Sequence, residues 1–270
     1  MVSIEVLNGD YLRKIGDWLK LVRIGNGFVI GFSAIVGYVV SDGRVLGDTM
    51  LLFLSAMLIG CYGNIVNDIF DIDIDRINKP WRPLPSKRTS MEIDWSLALI
   101  LAGLGTLLSF FINILCFITA ISAVALLYLY SNEIKRPGFA GNSLIAFLSF
   151  LVIVYGGFAA PLFWKSFISG LYAFMIIIGR EVLKSLEDIE DDRRYRVSTI
   201  AVKLGIRKAL IIGMIFLMLV VIISPIPYFY MDMNLYYLAT AILGVDIPIL
   251  IAPKMVFADP VGTHGMQLVS

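Results

Sequence analysis

Charge is scarce in this chain. Only 16% of its 270 residues are Asp, Glu, Lys or Arg, where a soluble domain of this length carries about a quarter. Histidine occurs once, as His264, and cysteine twice, as Cys61 and Cys116, each inside an apolar run and neither in a CxxC pair. A disulfide framework, a zinc site and a haem-attachment site therefore find little support. The net charge is +1, so no field of one sign recruits nucleic acid. What is abundant is apolar: 59% of the residues are hydrophobic, which excludes disorder and most soluble classes and points to a membrane protein.

A membrane-crossing helix needs about 20 mostly apolar residues, because the hydrocarbon core is about 30 Å thick. Residues 24–41, 49–67, 95–132, 137–164 and 209–231 carry no charge at all. The run 95–132 is too long for one span and holds Asn113 near its middle, so it reads as a tight helical hairpin. Residues 166–179 form a shorter run, and 233–253 are apolar apart from Asp246. Eight spans follow, at 22–41, 49–67, 95–112, 115–131, 141–162, 166–185, 208–226 and 234–253. The expected fold class is an all-α polytopic transmembrane helix bundle. With the N-terminus inside, every Lys and Arg except Arg44 and Lys165 falls on the inner side, which satisfies the positive-inside rule. The chain is thus expected to be a multi-pass protein of the cell membrane with its N-terminus cytoplasmic. Residues 1–20 lack the apolar core of a cleavable signal. Tyr11, Ile15, Trp18 and Val22 recur there at helical spacing. Residues 1–21 read as an interfacial amphipathic helix or, equally, as an ordinary juxtamembrane segment.

Nine of the 21 acidic side chains gather in two places. One is Asn67-Asp68-Ile69-Phe70-Asp71-Ile72-Asp73-Ile74-Asp75, at the inner end of the second span; the other is Glu187-Asp188-Ile189-Glu190-Asp191-Asp192, at the inner end of the sixth. Continued helix would put Asn67, Asp71 and Asp75 on one face, and Asp188 and Asp192 on another. Like charges at i, i+4 repel, so each cluster calls for a cation. Carboxylate oxygens suit Mg²⁺, which takes one or two carboxylates plus substrate phosphates, and two such ions can clamp one diphosphate from both sides. Acidic helix ends are also common as solvated caps, and that reading suits Asp73, Glu190 and Asp191. The clusters lie four spans apart, each followed by a basic, hydroxyl-bearing segment, which hints at two four-helix halves.

These residues resemble the UbiA superfamily of intramembrane prenyltransferases. Asn67, Asp68, Asp71 and Asp75 match its NDxxDxxxD signature, and Arg82-Pro83-Leu84-Pro85-Ser86 is similar to its NRPLPSG. Asp188 and Asp192 match its DxxxD signature, with Thr199 and Gly205 following. Leu21-Val22-Arg23-Ile24-Gly25-Asn26 resembles the RPxN entry to the first span, and Tyr130-Ser131 with Lys135-Arg136 and Gly141-Asn142 resembles the loop between spans four and five. There are departures. Ile24 stands where the entry motif has proline, Trp81 and Lys87 flank the RPLPS core, Arg196 replaces a glycine, and the residues after Lys254 make no ninth span, where the family usually has nine. On this resemblance residues 22–254 form one transmembrane prenyltransferase domain around a central cavity, and 255–270 a C-terminal tail.

The resemblance implies Mg²⁺-dependent cleavage of a prenyl diphosphate, with two ions bridging the diphosphate. Asp71, Asp75, Asp188 and Asp192 would be the catalytic carboxylates, and Asn67 and Asp68 would complete the first metal site. Arg23, Arg82, Lys135, Arg136 and Lys184 would contact the diphosphate, Tyr130 would face the allylic cation, and Asn26 would orient the acceptor. Packing or interfacial roles account for Tyr130 and Asn26 equally well. Lys184, Ile189, Glu190 and Asp192 look most like the archaeal ether-lipid branch, which moves a geranylgeranyl group to geranylgeranylglyceryl phosphate. An aromatic acceptor such as 4-hydroxybenzoate is the alternative. In another class stands a cation-coupled transporter, for which Asp246, just before Ile247-Pro248, is the one fitting residue; a local kink or a polar bundle contact explains it too. Oligomeric state is not legible.

Overall fold

Lipid offers no hydrogen-bond partner, so an apolar chain crossing it bonds its own backbone, and a single run does so as helix. The computed structural model describes residues 16–134, 138–187, 189 and 199–251, and these form helices joined by turns, with no strand among the described residues. In chain order they are α1 (Gly16–Val22), α2 (Ile24–Val40), α3 (Leu46–Phe70), α4 (Ile72–Asn78), α5 (Met91–Phe110), α6 (Ile114–Leu129), α7 (Phe139–Gly157), α8 (Trp164–Glu187), α9 (Ile200–Leu204), α10 (Ile206–Ile223) and α11 (Ile226–Tyr230). The last, α12 (Leu235–Ile251), contains the π-helical turn Ile242–Asp246.

The eight expected spans all coincide with helix. Six are long and apolar enough to cross a membrane: α3, α5, α6 extended to Glu133, α7, α8 and α10 extended to Tyr230. The first expected span is the pair α1–α2, bent by 48° at Arg23, and the eighth is α12, apolar but shorter. The protein is thus an integral, multi-pass helical membrane protein. The interfacial helix expected over 1–21 is described only from Gly16 onward, as α1, and the tail 255–270 lies outside the described residues.

The chain divides into two packed units, one holding residues up to Glu133 together with Leu151–Ser166, the other Ile134–Phe150 and the chain from Phe167 on. Two four-helix halves would divide between the fourth and fifth spans; the observed division falls inside α7. Glycine explains why the end of α7 belongs to the first unit. A Cβ on Gly37 of α2 would lie 1.8 Å from the Ile153 carbonyl oxygen, and one on Gly156 would lie 1.8 Å from that of Ala34. Only backbone fits at this crossing, as where small residues let membrane helices approach closely.

Within the first unit α3 is the central helix. Of its most apolar stretch 56% is buried, against 33% or less in the other spanning helices, and Leu52, Ala56, Ile59, Ile65, Val66 and Ile69 recur at helical spacing along its buried side. Polar pins lock it to its neighbours. The Tyr155 hydroxyl donates to Ser55 Oγ (2.7 Å), which donates to the Gly105 carbonyl (2.8 Å), so α7, α3 and α5 share one buried chain of hydrogen bonds. Asn113 makes the expected hairpin between α5 and α6: its Oδ1 accepts from Cys116 N (2.8 Å) as an N-cap, and its Nδ2 donates to the Phe158 carbonyl (3.0 Å). At this far end Lys165, one of the two basic residues outside the charge rule, is 6% exposed and donates to Asp42 (3.1 Å). Its buried ammonium group is thus matched by a counter-charge.

The second unit packs Val182, Ile189, Ala201 and Ala209 into one buried cluster. Farther along, the end of α10 exposes carbonyls that must be satisfied inside the membrane. Tyr172 and Tyr237 do so, donating to the carbonyls of Ile223 and Ser224, and Ser224 Oγ donates to Asp246 (2.7 Å). The π-helical turn ending at Asp246 precedes Pro248, whose ring nitrogen cannot bond the carbonyl one turn back. Asp246 thus closes a π-helical turn and accepts one hydrogen bond inside its own unit.

Replacing Gly37 with valine should drive side-chain carbons into the Ile153 backbone and destabilise the fold by about 1–3 kcal/mol or more. Gly103, with nothing within 4 Å of an added Cβ, should accept alanine without loss. Thermal unfolding of the purified variants in detergent checks both.

Candidate active site

The apolar register of α3 runs out at Ile69, and the acidic motif starts there. Asp71 closes α3 and opens α4, with φ −89° and ψ 2°. The backbone bonds run on through the break, from Asp71 N to the Asn67 carbonyl (3.0 Å) and from Asp75 N to the Asp71 carbonyl (2.8 Å). The side chains nevertheless divide between two sets of partners. Asn67 Nδ2 donates to Asp71 Oδ2 (3.2 Å). Asp68 and Asp75, 3% and 4% exposed, face arginines instead. Arg23 and Arg82 both donate to Asp68 Oδ1, and Arg82 donates to Asp75 as well. Asn67, Asp71 and Asp75 were expected to share one face; Asp75 instead shares Arg82 with Asp68, because a seven-residue interval brings these two to the same side of a nearly continuous helix.

The two arginines arrive from different directions. Arg23 sits between α1 and α2 with φ 48° and ψ 57°, a left-handed conformation that costs a side-chain-bearing residue about 1–2 kcal/mol. The helix breaks here, just before Ile24. The break leaves carbonyls without helical partners, and Asn64 Nδ2 takes one of them, that of Val22 (3.0 Å). Arg82 comes from the turn after α4, which is pinned at further points. Arg88 bonds Asp17 of α1 and the Trp81 carbonyl, and its Nε donates to Ser86 Oγ (2.9 Å). Thr89 Oγ1 donates to Asp94 Oδ2 (3.0 Å), while the other oxygen of this fully buried carboxylate has no hydrogen-bond partner among the described residues. The RPLPS segment is therefore an anchored loop rather than a loose one.

Asn64, Asp17 and Asp94 are participants that the sequence did not single out. Asn64 lies in an uncharged run and Asp94 at the edge of one; a polar residue in a stretch that otherwise reads as lipid-facing was the available signal.

The remaining expected residues are placed unevenly. Asn26 is exposed on α2, and Tyr130 is half-buried in the π-helical turn after α6. Lys184 is exposed on the last turn of α8, one turn beyond Arg180, which pairs with Glu181 (3.0 Å). Lys135, Arg136, Asp188 and Asp192 lie outside the described residues. Among the described residues no three Asp, Glu, His or Cys side chains converge as a complete metal cage. Mg²⁺ does not require one: it keeps waters and takes one or two carboxylates plus substrate phosphate. Asn67 and Asp71, side by side with Asn67 Nδ2 on Asp71 Oδ2, carry amide and carboxylate oxygens that fit that demand.

The geometry agrees with what this chain is similar to. A digeranylgeranylglyceryl phosphate synthase of Sulfolobus acidocaldarius is 37% identical over 238 residues, covering 87% of this chain and 85% of that protein. A solved structure of a digeranylgeranylglyceryl phosphate synthase superposes with a TM-score of 0.82 at 34% identity, over 95% of this chain and 92% of the other. A UbiA homologue from Archaeoglobus fulgidus, solved with DMAPP and Mg²⁺, shares the fold at a TM-score of 0.68 and 18% identity, over 90% and 87% of the two chains. The model of the UbiA prenyltransferase family matches residues 30–259, and the chain belongs to that family and is a prenyltransferase.

Proposed function

We propose that the protein transfers a geranylgeranyl group from geranylgeranyl diphosphate to geranylgeranylglyceryl phosphate, with Mg²⁺ at the diphosphate. The observation that carries the diphosphate half is the Asn67–Asp71 pair beside two ordered arginines, an arrangement of hard oxygens and fork-like cations that suits a metal–diphosphate pair. The acceptor half is supported by the activity for which the relatives of more than 30% identity are named.

In this reading Asn67 and Asp71 would hold one ion and Asp188 and Asp192 a second, while Asp75 steadies Arg82. Bound Mg²⁺ supplies neutralisation of the charge that develops on the departing diphosphate. Arg23, Arg82, Lys135, Arg136 and Lys184 bind diphosphate oxygens and keep the leaving group in place. The allylic C–O bond breaks, the glycerol hydroxyl of the acceptor forms the new C–O bond, and its proton is released. The apolar helices exclude water that would otherwise capture the cation. Tyr130 offers its ring face to the cation, and Asn26 orients the acceptor. The concentration of basic residues at this end of the helices supports a cytoplasmic site and N-terminus. Membership of a prenyltransferase family tells against a transporter reading, and Asp246 takes a hydrogen bond from Ser224 inside its own unit.

Asp71→Asn and, separately, Asp188→Asn should lower Mg²⁺-dependent diphosphate release by about 10²-fold or more; turnover retained by the purified variants refutes the two-ion site. EDTA should stop the reaction and added Mg²⁺ should restore it. Mass spectrometry of products formed from geranylgeranyl diphosphate with geranylgeranylglyceryl phosphate or 4-hydroxybenzoate decides the acceptor, a prenylated benzoate overturning the lipid assignment.

A further inference from the structure

Of the acidic residues in the first motif, Asp68 stands apart. Its side chain is only 4% exposed, and a single oxygen, Oδ1, accepts from two guanidinium groups, one from the bend between α1 and α2 and one from the turn after α4. Asn67 and Asp71, its neighbours in the motif, bond each other instead. A carboxylate this buried cannot stay charged without partners, and two arginines supply them; with Asp75, which also pairs with Arg82, the four side chains balance. The arginines are less buried than the carboxylates, with side chains 29% and 20% exposed against 4% and 5%, so the guanidinium groups are the accessible part of the cluster. Arg82 is further steadied by Asp75. Arg23 is held in a left-handed backbone conformation that only the surrounding structure maintains.

We propose that Asp68 is not a metal ligand but a positioning residue. It holds Arg23 and Arg82 so that their outward N–H groups meet the diphosphate of the prenyl donor. Resting on the diphosphate reading above, this gives the motif two separate roles, in which Asn67 and Asp71 serve the cation and Asp68 serves the anion through two arginines. An ordered fork loses less freedom on binding phosphate than a free side chain. Asp68 thus acts on substrate affinity without touching the substrate.

The test is a split between two constants measured on full-length protein in detergent, with Asp71→Asn as the metal-site comparison. Asp68→Asn keeps the shape and removes the charge that organises both arginines. It should raise KM for geranylgeranyl diphosphate about tenfold or more, while the Mg²⁺ concentration giving half-maximal activity stays within about twofold of wild type. Asp68→Glu should recover part of the lost KM. In an Arg23→Gln, Arg82→Gln background Asp68→Asn should add less than about twofold, because the groups it acts through are gone. A tenfold rise in the Mg²⁺ requirement, or a full additional effect in that background, overturns the proposal. Should Asp68→Asn fail to accumulate, Arg23→Lys and Arg82→Lys give the same reading, since lysine keeps the charge but loses the fork: KM rises, the Mg²⁺ requirement does not, and the reverse pattern overturns the assignment. A binding arm uses inorganic pyrophosphate with Mg²⁺ and follows thermal stabilisation. It needs no acceptor, so wild-type protein that binds pyrophosphate yet forms no lipid product removes the proposed acceptor while still testing Asp68.

Discussion

Four ionised groups in a row, Arg23, Asp68, Arg82 and Asp75, govern the acidic end of the first unit. Carboxylates at the edge of a lipid-buried helix are tolerated only when paired, and removing one partner of such a buried pair leaves an uncompensated charge at a cost of about 3–5 kcal/mol. Alternating signs let each group answer for its neighbour. The same contacts join three separate stretches of chain: the bend before α2, the end of α3 and the turn after α4. A single electrostatic requirement thereby shapes the backbone break at Arg23, the course of the loop carrying Arg82 and the partition of the acidic motif.

The rest of the structure meets the other demand of the bilayer, that no polar backbone group be left alone. At several described helix ends and bends a side chain supplies the missing partner. Asn64 serves the break at Arg23, Asn113 the hairpin, and Tyr172 and Tyr237 the end of α10. Hydrophobic burial does not drive helices together in lipid, so close backbone approach and buried hydrogen bonds take its place. The Gly37–Gly156 crossing and the Tyr155–Ser55–Gly105 chain are the two clearest cases in the first unit. The acidic motif therefore stands on a helix, α3, that its neighbours hold by specific contacts.

The fold was largely legible in advance, because spans announce themselves as uncharged runs and the hairpin at Asn113 follows from a run too long to cross once. The acidic motif was legible too, since carboxylates are conspicuous against an apolar background. Less could be said of what each carboxylate does. Helical spacing grouped Asn67, Asp71 and Asp75, but periodicity knows nothing of Arg82, which draws Asp75 to Asp68. Asn64, Asp17 and Asp94 escaped notice because an isolated Asn or Asp has no spacing to report; their partners lie 42 residues away, 71 residues away and at the neighbouring Thr89.

The amino-acid sequence by itself determined that this chain is a helical membrane protein, where its spans fall, which of their ends gather the positive charge and where the acidic motifs lie. Those properties depend on composition over windows of about 20 residues, and a window can be read without knowing what it packs against. Only the tertiary structure decided that Arg23 breaks the first helix, that Asp68 answers two arginines while Asn67 answers Asp71, and that the end of α7 belongs with the first unit. Apart from Asn67–Asp71, which keeps the helical period, these are settled by atoms meeting from separate stretches of chain, in surroundings of low polarity where a missing partner is costly. Such pairings have no period, and only the folded chain brings them together.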